Sequence, residues 1–517
     1  MGCHRPMNFG EFMKRDFLQL AAAKVMKKSH YYLCVILLAS FTGNINAQVS
    51  NDNEEGVYKV DQRFARKDFV PGQVLVKFKE SSAVSVRRAA GRFRSSSVSS
   101  IDAVLSEFKA TEMQKVFPNQ QPRRTMRRAK AYNGDMVVEK DLSRIYCVET
   151  ASMHPDSTML LVKRLQELTD VEYAEPNYKA YIMGEPAEGD VICDDPGQNP
   201  LYSQQWGIPY IGVDRLWTKP IVNAQRPVIA IIDTGVDVTH PDLAENCIAG
   251  WDFVNNIDKI ADYNSHGTHV AGIAAAADNG IGIIGANPHA LIMPITVMQS
   301  DGTGDIRTIV QGIEYAAEHG ATVINMSLGT PAYSQVMREA LEHAYQTAVL
   351  VAAAGNDGMS IYGGPIYPAA HSFVLGVEAV DENGNKANFS NFDPDGATFS
   401  NEKTAGDPEG INYEFKAPGV DILSTVPNGN YKKMNGTSMA TPMVAGAIST
   451  LQMVKQYDNQ EVLWGDLLHS NNNIEVAFNI TERPAEIDLI SLSFRDGNGE
   501  EISPAKLNAG ETYGNIY

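Results

Sequence analysis

Cysteine is scarce in this chain, with 5 among 517 residues. Cys3 and Cys34 lie upstream of Ala47, where a leader would end, and Cys147, Cys193 and Cys247 are scattered over regions that read as different elements. That distribution implies no disulfide framework. Long apolar runs are missing too. Residues 31–39 are apolar but too short to span a bilayer. They follow Lys27-Lys28 and precede Asn46-Ala47, the layout of a cleavable secretory signal over residues 1–47, with Met26 as an alternative start. No cysteine comes directly after the apolar stretch, which argues against a lipoprotein anchor. No internal repeat is evident. Asp-Thr-Gly occurs once, which argues against the paired half-sites of an aspartic protease. His266 and His269 stand at i, i+3 without the Glu of a zincin helix, which argues against a zinc site.

The composition is that of globular protein, 44% hydrophobic and 20% charged, over a length that suits two or three domains. The net charge of −19 is unevenly spread. Residues 1–182 carry 28 basic and 20 acidic side chains, whereas the remainder carries 15 basic and 42 acidic. So acidic a remainder disfavours nucleic acid as a partner and favours a basic module held against it in cis.

Three short Gly-containing segments present reactive side chains. They are IAIIDTGVD around Asp233, NSHGTHVAG around His266 and NGTSMATP around Ser438. A carboxylate, an imidazole and a hydroxyl are the set that acyl transfer needs: an orienting acid, a proton-shuttling base and a nucleophile. The order Asp, His, Ser differs from that of chymotrypsin-like enzymes and of α/β-hydrolases. Residues 228–232 form an apolar, β-branched run that predicts a buried parallel strand delivering Asp233 at its C-terminal end, the edge where open α/β sheets bind ligands. Ser438 precedes a predicted helix over 439–454, so developing negative charge there lies near a helix N-terminus. Asn356 follows a predicted strand over 348–353 and is placed to donate to an oxyanion.

With HPDL at 240–243, INMSLG at 324–329, VAAAGN at 351–356 and APGVDILST at 417–425, these segments resemble the subtilisin-like serine proteases, the subtilases, over residues 201–471. The resemblance implies an α/β fold, a parallel sheet with helices on both faces, and a serine endopeptidase. Asp233, His266 and Ser438 would be its triad and Asn356 its oxyanion donor. Ser327, Leu328 and Gly329, with Ala352, Ala353 and Gly355, match the two segments that pair with an extended peptide and wall its main specificity pocket. Ile366 falls where many relatives carry Gly at the pocket floor, and Met443 replaces a common His. Asp242 and Asn279, with the loop 277–283, resemble a calcium site of oxygen ligands. Asn199 or Gln205 would add a further ligand.

Residues 54–182 read strand, helix, two strands, helix, strand, with an Arg/Ser-rich insertion near 87–130. That order resembles the small α+β (βαββαβ) inhibitory prodomain of subtilases, whose tail, here PNYKAY at 176–181, would lie in the cleft like a product strand. Residues 183–200 read as a linker and processing region, 394–412 as an inserted loop, and 472–517 as a divergent segment opening a β domain around 487–494. The whole is expected to be a self-processing zymogen of a bacterium, secreted or periplasmic. Its partners would be peptide or protein substrates and its own prodomain, with no transmembrane anchor in the mature chain. A catalytically silent binding protein and an esterase on the same fold remain open as alternatives.

Overall fold

The computed structural model describes residues 69–457, apart from 83, 90–91, 124, 132–135, 192–198 and 395–412, together with an antiparallel strand pair, Phe494–Arg495 and Glu501–Ile502. The expected signal sequence, nearly all of the inserted loop and most of the C-terminal segment lie outside the described residues. Both modules discussed below belong to one compact unit.

The N-terminal module is a four-stranded antiparallel sheet carrying two helices. In chain order its elements are β1 (Phe69–Phe78), α1 (Ser99–Glu107), β2 (Ala110–Lys115), β3 (Ile145–Thr150), α2 (Pro155–Gln166) and β4 (Val171–Ile182). The strands lie in the order β4-β1-β3-β2. Residues 74–78 of β1, VLVKF, show no polar alternation because both faces of the sheet are covered. Val74, Val76 and Phe78 face a core shared with Ile101, Leu105, Leu161 and Leu165 of the two helices. Leu75 belongs instead to the larger core that runs on into the second module. Lys77, on that same second face, is 2% exposed and meets Glu339 Oε2 at 2.9 Å.

The second module is built on seven parallel strands. They are β6 (Val228–Asp233), β7 (Trp251–Asp252), β8 (Leu291–Thr296), β10 (Val323–Met326), β12 (Val349–Ala353), β13 (Leu375–Val380) and β14 (Phe415–Pro418), in the order β7-β8-β6-β10-β12-β13-β14. Helices α3 (His266–Ala275), α4 (Ile306–Glu318), α5 (Gln335–Ala344) and α6 (Thr437–Val454) cover both faces. Three shorter pieces matter for the cleft: β9 (Thr303–Asp305), β11 (Leu328–Gly329) and the hairpin of β15 (Ile422–Val426) with β16 (Asn430–Asn435).

Two sequence readings change. The strand expected over 171–174 continues to Ile182, because β9 and β11 offer it main-chain partners on both edges. Within the expected linker, Glu185–Val191 forms a strand, β5, against β16.

The modules meet through helix ends. Glu175 of β4 accepts hydrogen bonds from Ser334 Oγ and from the backbone N–H groups of Gln335 (2.9 Å) and Val336 (3.3 Å), at the start of α5. Asn177 Oδ1 accepts from Arg307 N at 3.0 Å, at the start of α4. Unpaired N–H groups at helix N-termini favour such acceptors. The Arg/Ser-rich insertion adds Arg123 and Arg127, both on Glu139, which also bonds His343 Nδ1 of α5 at 2.8 Å.

Burial pushes Glu175 up to about 7 despite those hydrogen bonds. A carboxyl whose pKa is raised by docking contributes stability that is fully present below about 4.5 and is lost as pH rises through about 7. Glu175→Gln should remove that dependence. Calorimetry in a Ser438→Ala background, which keeps the two modules joined, should show the Glu175→Gln form gaining on its Glu175 counterpart by on the order of 3 kcal/mol between about pH 4.5 and 7.5. A constant gap would mean that the carboxyl does not change its protonation on docking.

Candidate active site

The apolar strand β6 ends in Asp233, which is fully buried. His266 opens α3, and its Nδ1 lies 2.7 Å from Asp233 Oδ1. The close approach of the two segments depends on glycine. A Cβ on Gly267 would collide with the Gly235 carbonyl oxygen, and Gly235 itself has φ +109°. Asp262 fixes the turn into α3. Its Oδ1 accepts from Thr234 Oγ1 and from the N–H groups of Asn264 and Ser265, and its Oδ2 accepts from Thr268 N and Oγ1. The sequence reading missed this residue, although an Asp four positions before a His and close to Asn-Ser is a turn signal.

Ser438 is the second residue of α6 and is fully buried. Pro442, four residues on, has no N–H to give the Ser438 carbonyl. Ser327 Oγ donates to that carbonyl instead, at 2.9 Å, while Ser438 Oγ donates to the Ser327 carbonyl, also at 2.9 Å. This reciprocal pair ties α6 to the segment leading into β11. His266 Nε2 is buried without a hydrogen-bond partner. Asn356 Oδ1 accepts from Thr437 N and Oγ1, both at 3.0 Å, which turns its NH₂ the other way.

The cleft holds the chain's own backbone. Tyr181 lies opposite both Thr303 and Gly329, Ile182 N donates to Gly302 O at 3.1 Å, and Met183 N donates to Ser327 O at 3.2 Å. The Met183 carbonyl then accepts from Ser438 N at 2.9 Å. A Cβ on Gly436 would collide with Met183 O and lie 3.2 Å from Asn356 Nδ2, so both atoms face one spot. Gly184 follows directly over the imidazole, since a Cβ there would lie 2.9 Å from His266 Nε2.

Met183 clusters with Ala353 and Ile366. A Cβ on Gly329 would collide with Ile366 Cγ2 and lie 2.9 Å from Met183 Cε, so the pocket is narrow. Leu328 pairs with Ile182, and Gly355, at φ +106°, packs beside Ile366. Ala352 is a buried β12 residue bonded into the sheet. The chain's own strand β4 pairs with 328–329 and not with 352–355, of which Ala353 clusters with Met183 and Ile366. The second edge of the peptide channel is 302–305, which sequence reasoning missed; its signal was the tract SDGTG at 300–304.

Asp242 is buried; its Oδ2 accepts from Ile283 N and Tyr431 OH at 2.9 Å, while Oδ1 has no partner. Asn279 Oδ1 accepts from Ile281 N and Asn199 Oδ1 from Gly280 N, both at 3.2 Å, and Gln205 bonds Ile284 through both amide atoms. Among the described residues no group of three or more His, Cys, Asp or Glu could hold a metal ion.

An acid, a base and a hydroxyl at the carboxyl edge of a parallel sheet, with a peptide as an added strand, define the class of serine proteases of subtilisin type. A profile of the subtilase family matches residues 224–481. Subtilisin DY of Bacillus licheniformis is 41% identical over 248 residues, covering 48% of this chain and 83% of its own. Thermitase of Thermoactinomyces vulgaris is 39% identical over 48% of this chain and 82% of its own. A thermophilic serine proteinase of Bacillus sp. (strain AK1) is 39% identical over 56% of this chain, which spans 65% of that relative. The crystal structure of fervidolysin from Fervidobacterium pennivorans, at 24% identity, has the same fold, with a TM-score of 0.57 over 80% of this chain and 61% of its own. The chain belongs to the subtilase family, and its second module is a subtilisin-like serine endopeptidase domain.

Ile366→Gly should enlarge the narrow pocket and shift preference on a peptide library from Met-sized residues toward Phe and Tyr before the cleaved bond, since overfilled sites reject bulk. A parent that already prefers large aromatics would refute this role for Ile366.

Proposed function

We propose that the chain is the precursor of a secreted serine endopeptidase and cleaves itself between Met183 and Gly184. The observation that carries this reading is the Met183 carbonyl on the Ser438 N–H, with Gly184 over His266. For attack, Ser438 Oγ turns from the Ser327 carbonyl toward His266, gives its proton to Nε2 and bonds the Met183 carbonyl carbon. Asp233 holds the imidazole by Nδ1 and stabilises its charged form. The oxyanion is held by the Ser438 N–H and the Asn356 amide, donors aimed where charge develops. The imidazolium then protonates the Gly184 nitrogen as the C–N bond breaks, and water releases Met183 from Ser438 by the same steps in reverse roles.

Residues 54–183 act in this reading as the inhibitory prodomain, held by the helix-end contacts and the buried Lys77–Glu339 pair. Intramolecular placement makes the first cut efficient. Secretion rests on the leader-like start, and among the described residues no helix is long and apolar enough to cross a membrane. Mass spectrometry tests the cut. The parent should yield a chain beginning at Gly184, and Ser438→Ala should stay intact. A variant processed like the parent would mean that another protease makes the cut.

The unpartnered Asp242 Oδ1 suits a cation ligand. In the proposed calcium site Asp242 supplies the carboxylate, with Asn279 and the loop carbonyls as further oxygens, and the ion would brace the loop without touching the chemistry. Chelation should lower the melting temperature, and Asp242→Asn should shrink that shift. Melting that ignores both chelator and added calcium would leave the loop as a turn alone.

A further inference from the structure

Directly beyond Gly184 the chain runs along the edge of the β15–β16 hairpin. Glu185 lies opposite Asn435, Pro186 opposite Met434, Asp190 opposite Lys432 and Val191 opposite Tyr431, with one irregularity between Lys432 and Met434. The other edge of β16 is paired with β15. This strand is firmly seated: His269 Nε2 bonds the Lys432 carbonyl at 2.9 Å and His240 Nε2 bonds the Asn430 carbonyl at 3.1 Å. His269 sits one turn along the helix that begins with His266. The register beyond the cleaved bond is therefore tied to the helix that carries the proton shuttle.

Strand addition uses main-chain groups, so an edge that takes residues 185–191 can take another extended peptide once they leave. What selects among peptides is the side chains along the edge. Here charge is distinctive. Residues 184–191 contain Glu185, Glu188 and Asp190 and no basic residue. The edge strand carries Lys432 and Lys433 in a module that is otherwise strongly acidic. In the strand register Asp190 stands opposite Lys432, and opposite charges on facing strands attract.

We propose that β16 is a docking edge for the part of a substrate that follows the cleaved bond, taking it as an added strand over about seven residues, and that Lys432 and Lys433 select acidic peptides there. This rests on the endopeptidase reading above. The substrate class is then peptides with an apolar residue before the cut and an acidic, extended stretch after it, of which the precursor's own 179–191 segment is the prototype.

Three peptides test it on the processed enzyme. All begin with the sequence of residues 179–183. One ends at Glu185, one continues with the native sequence to Val191, and one continues with lysine in place of Glu185, Glu188 and Asp190. The long native peptide should exceed the short one in kcat/KM by about tenfold, and the lysine peptide by a similar factor at low salt, the worth of one or two surface ion pairs together. Raising the salt should close the gap between the two long peptides, because exposed charges are screened, while leaving the effect of length. The double change Lys432→Glu with Lys433→Glu should invert the ratio of native to lysine peptide. Equal kcat/KM for short and long native peptides would overturn the docking edge, and a salt-independent or unchanged charge ratio would overturn the role of the lysines. If the parent cleaves none of the three, the endopeptidase reading falls and this inference with it.

Discussion

Strand β4 begins in the antiparallel sheet of the N-terminal module, where it pairs with β1, and ends between β9 and β11 in the cleft of the second module. One continuous backbone thus fixes the distance between the two modules and the register at which Met183 meets Ser438. A shift of one residue would turn every side chain of β4 to the opposite face, removing Glu175 and Asn177 from the helix ends and Met183 from its pocket. The helix-end contacts and the cleft contacts therefore enforce one another.

The machinery at the end of that strand is held by backbone turns more than by side-chain bulk. Gly235 and Gly267 let two segments meet closely enough for the Asp233–His266 contact. Asp262 gathers the N–H groups that would otherwise be unpaired where α3 begins. Pro442 frees the Ser438 carbonyl, and Ser327 bonds it while its own carbonyl receives the Ser438 hydroxyl. That last bond keeps the hydroxyl turned from the imidazole while Met183 and Gly184 occupy the site.

Charge acts at a longer range. The basic first part and acidic remainder of the chain face each other through Lys77 and Glu339 and through Arg123 and Glu318, while Glu139 of the first part, held by Arg123 and Arg127, reaches across to His343. At Glu139 the cost of burial is overcome by hydrogen bonds from Arg127, and the pKa falls to about 2, whereas burial dominates at Glu175. The two carboxylates differ because one is given a cation and the other only dipoles.

Asp233, His266, Ser438 and Asn356 stood out as candidates in the chain alone because each lies in a local pattern of strand end, glycine and helix start, and such patterns are encoded by sequence neighbours. The parallel sheet and the βαββαβ order of the first module were legible for the same reason. Where residues 183–191 go was settled only in three dimensions. A stretch rich in Gly, Pro and acids has no local preference for a strand, and it becomes one only because Gly302, Ser327 and β16 present main-chain partners along its path. The pairing of 303–305 with β4 and the burial of Lys77 were likewise set by partners far along the chain rather than by neighbours, whereas Asp262 bonds mostly to its own neighbours and was legible as a turn signal.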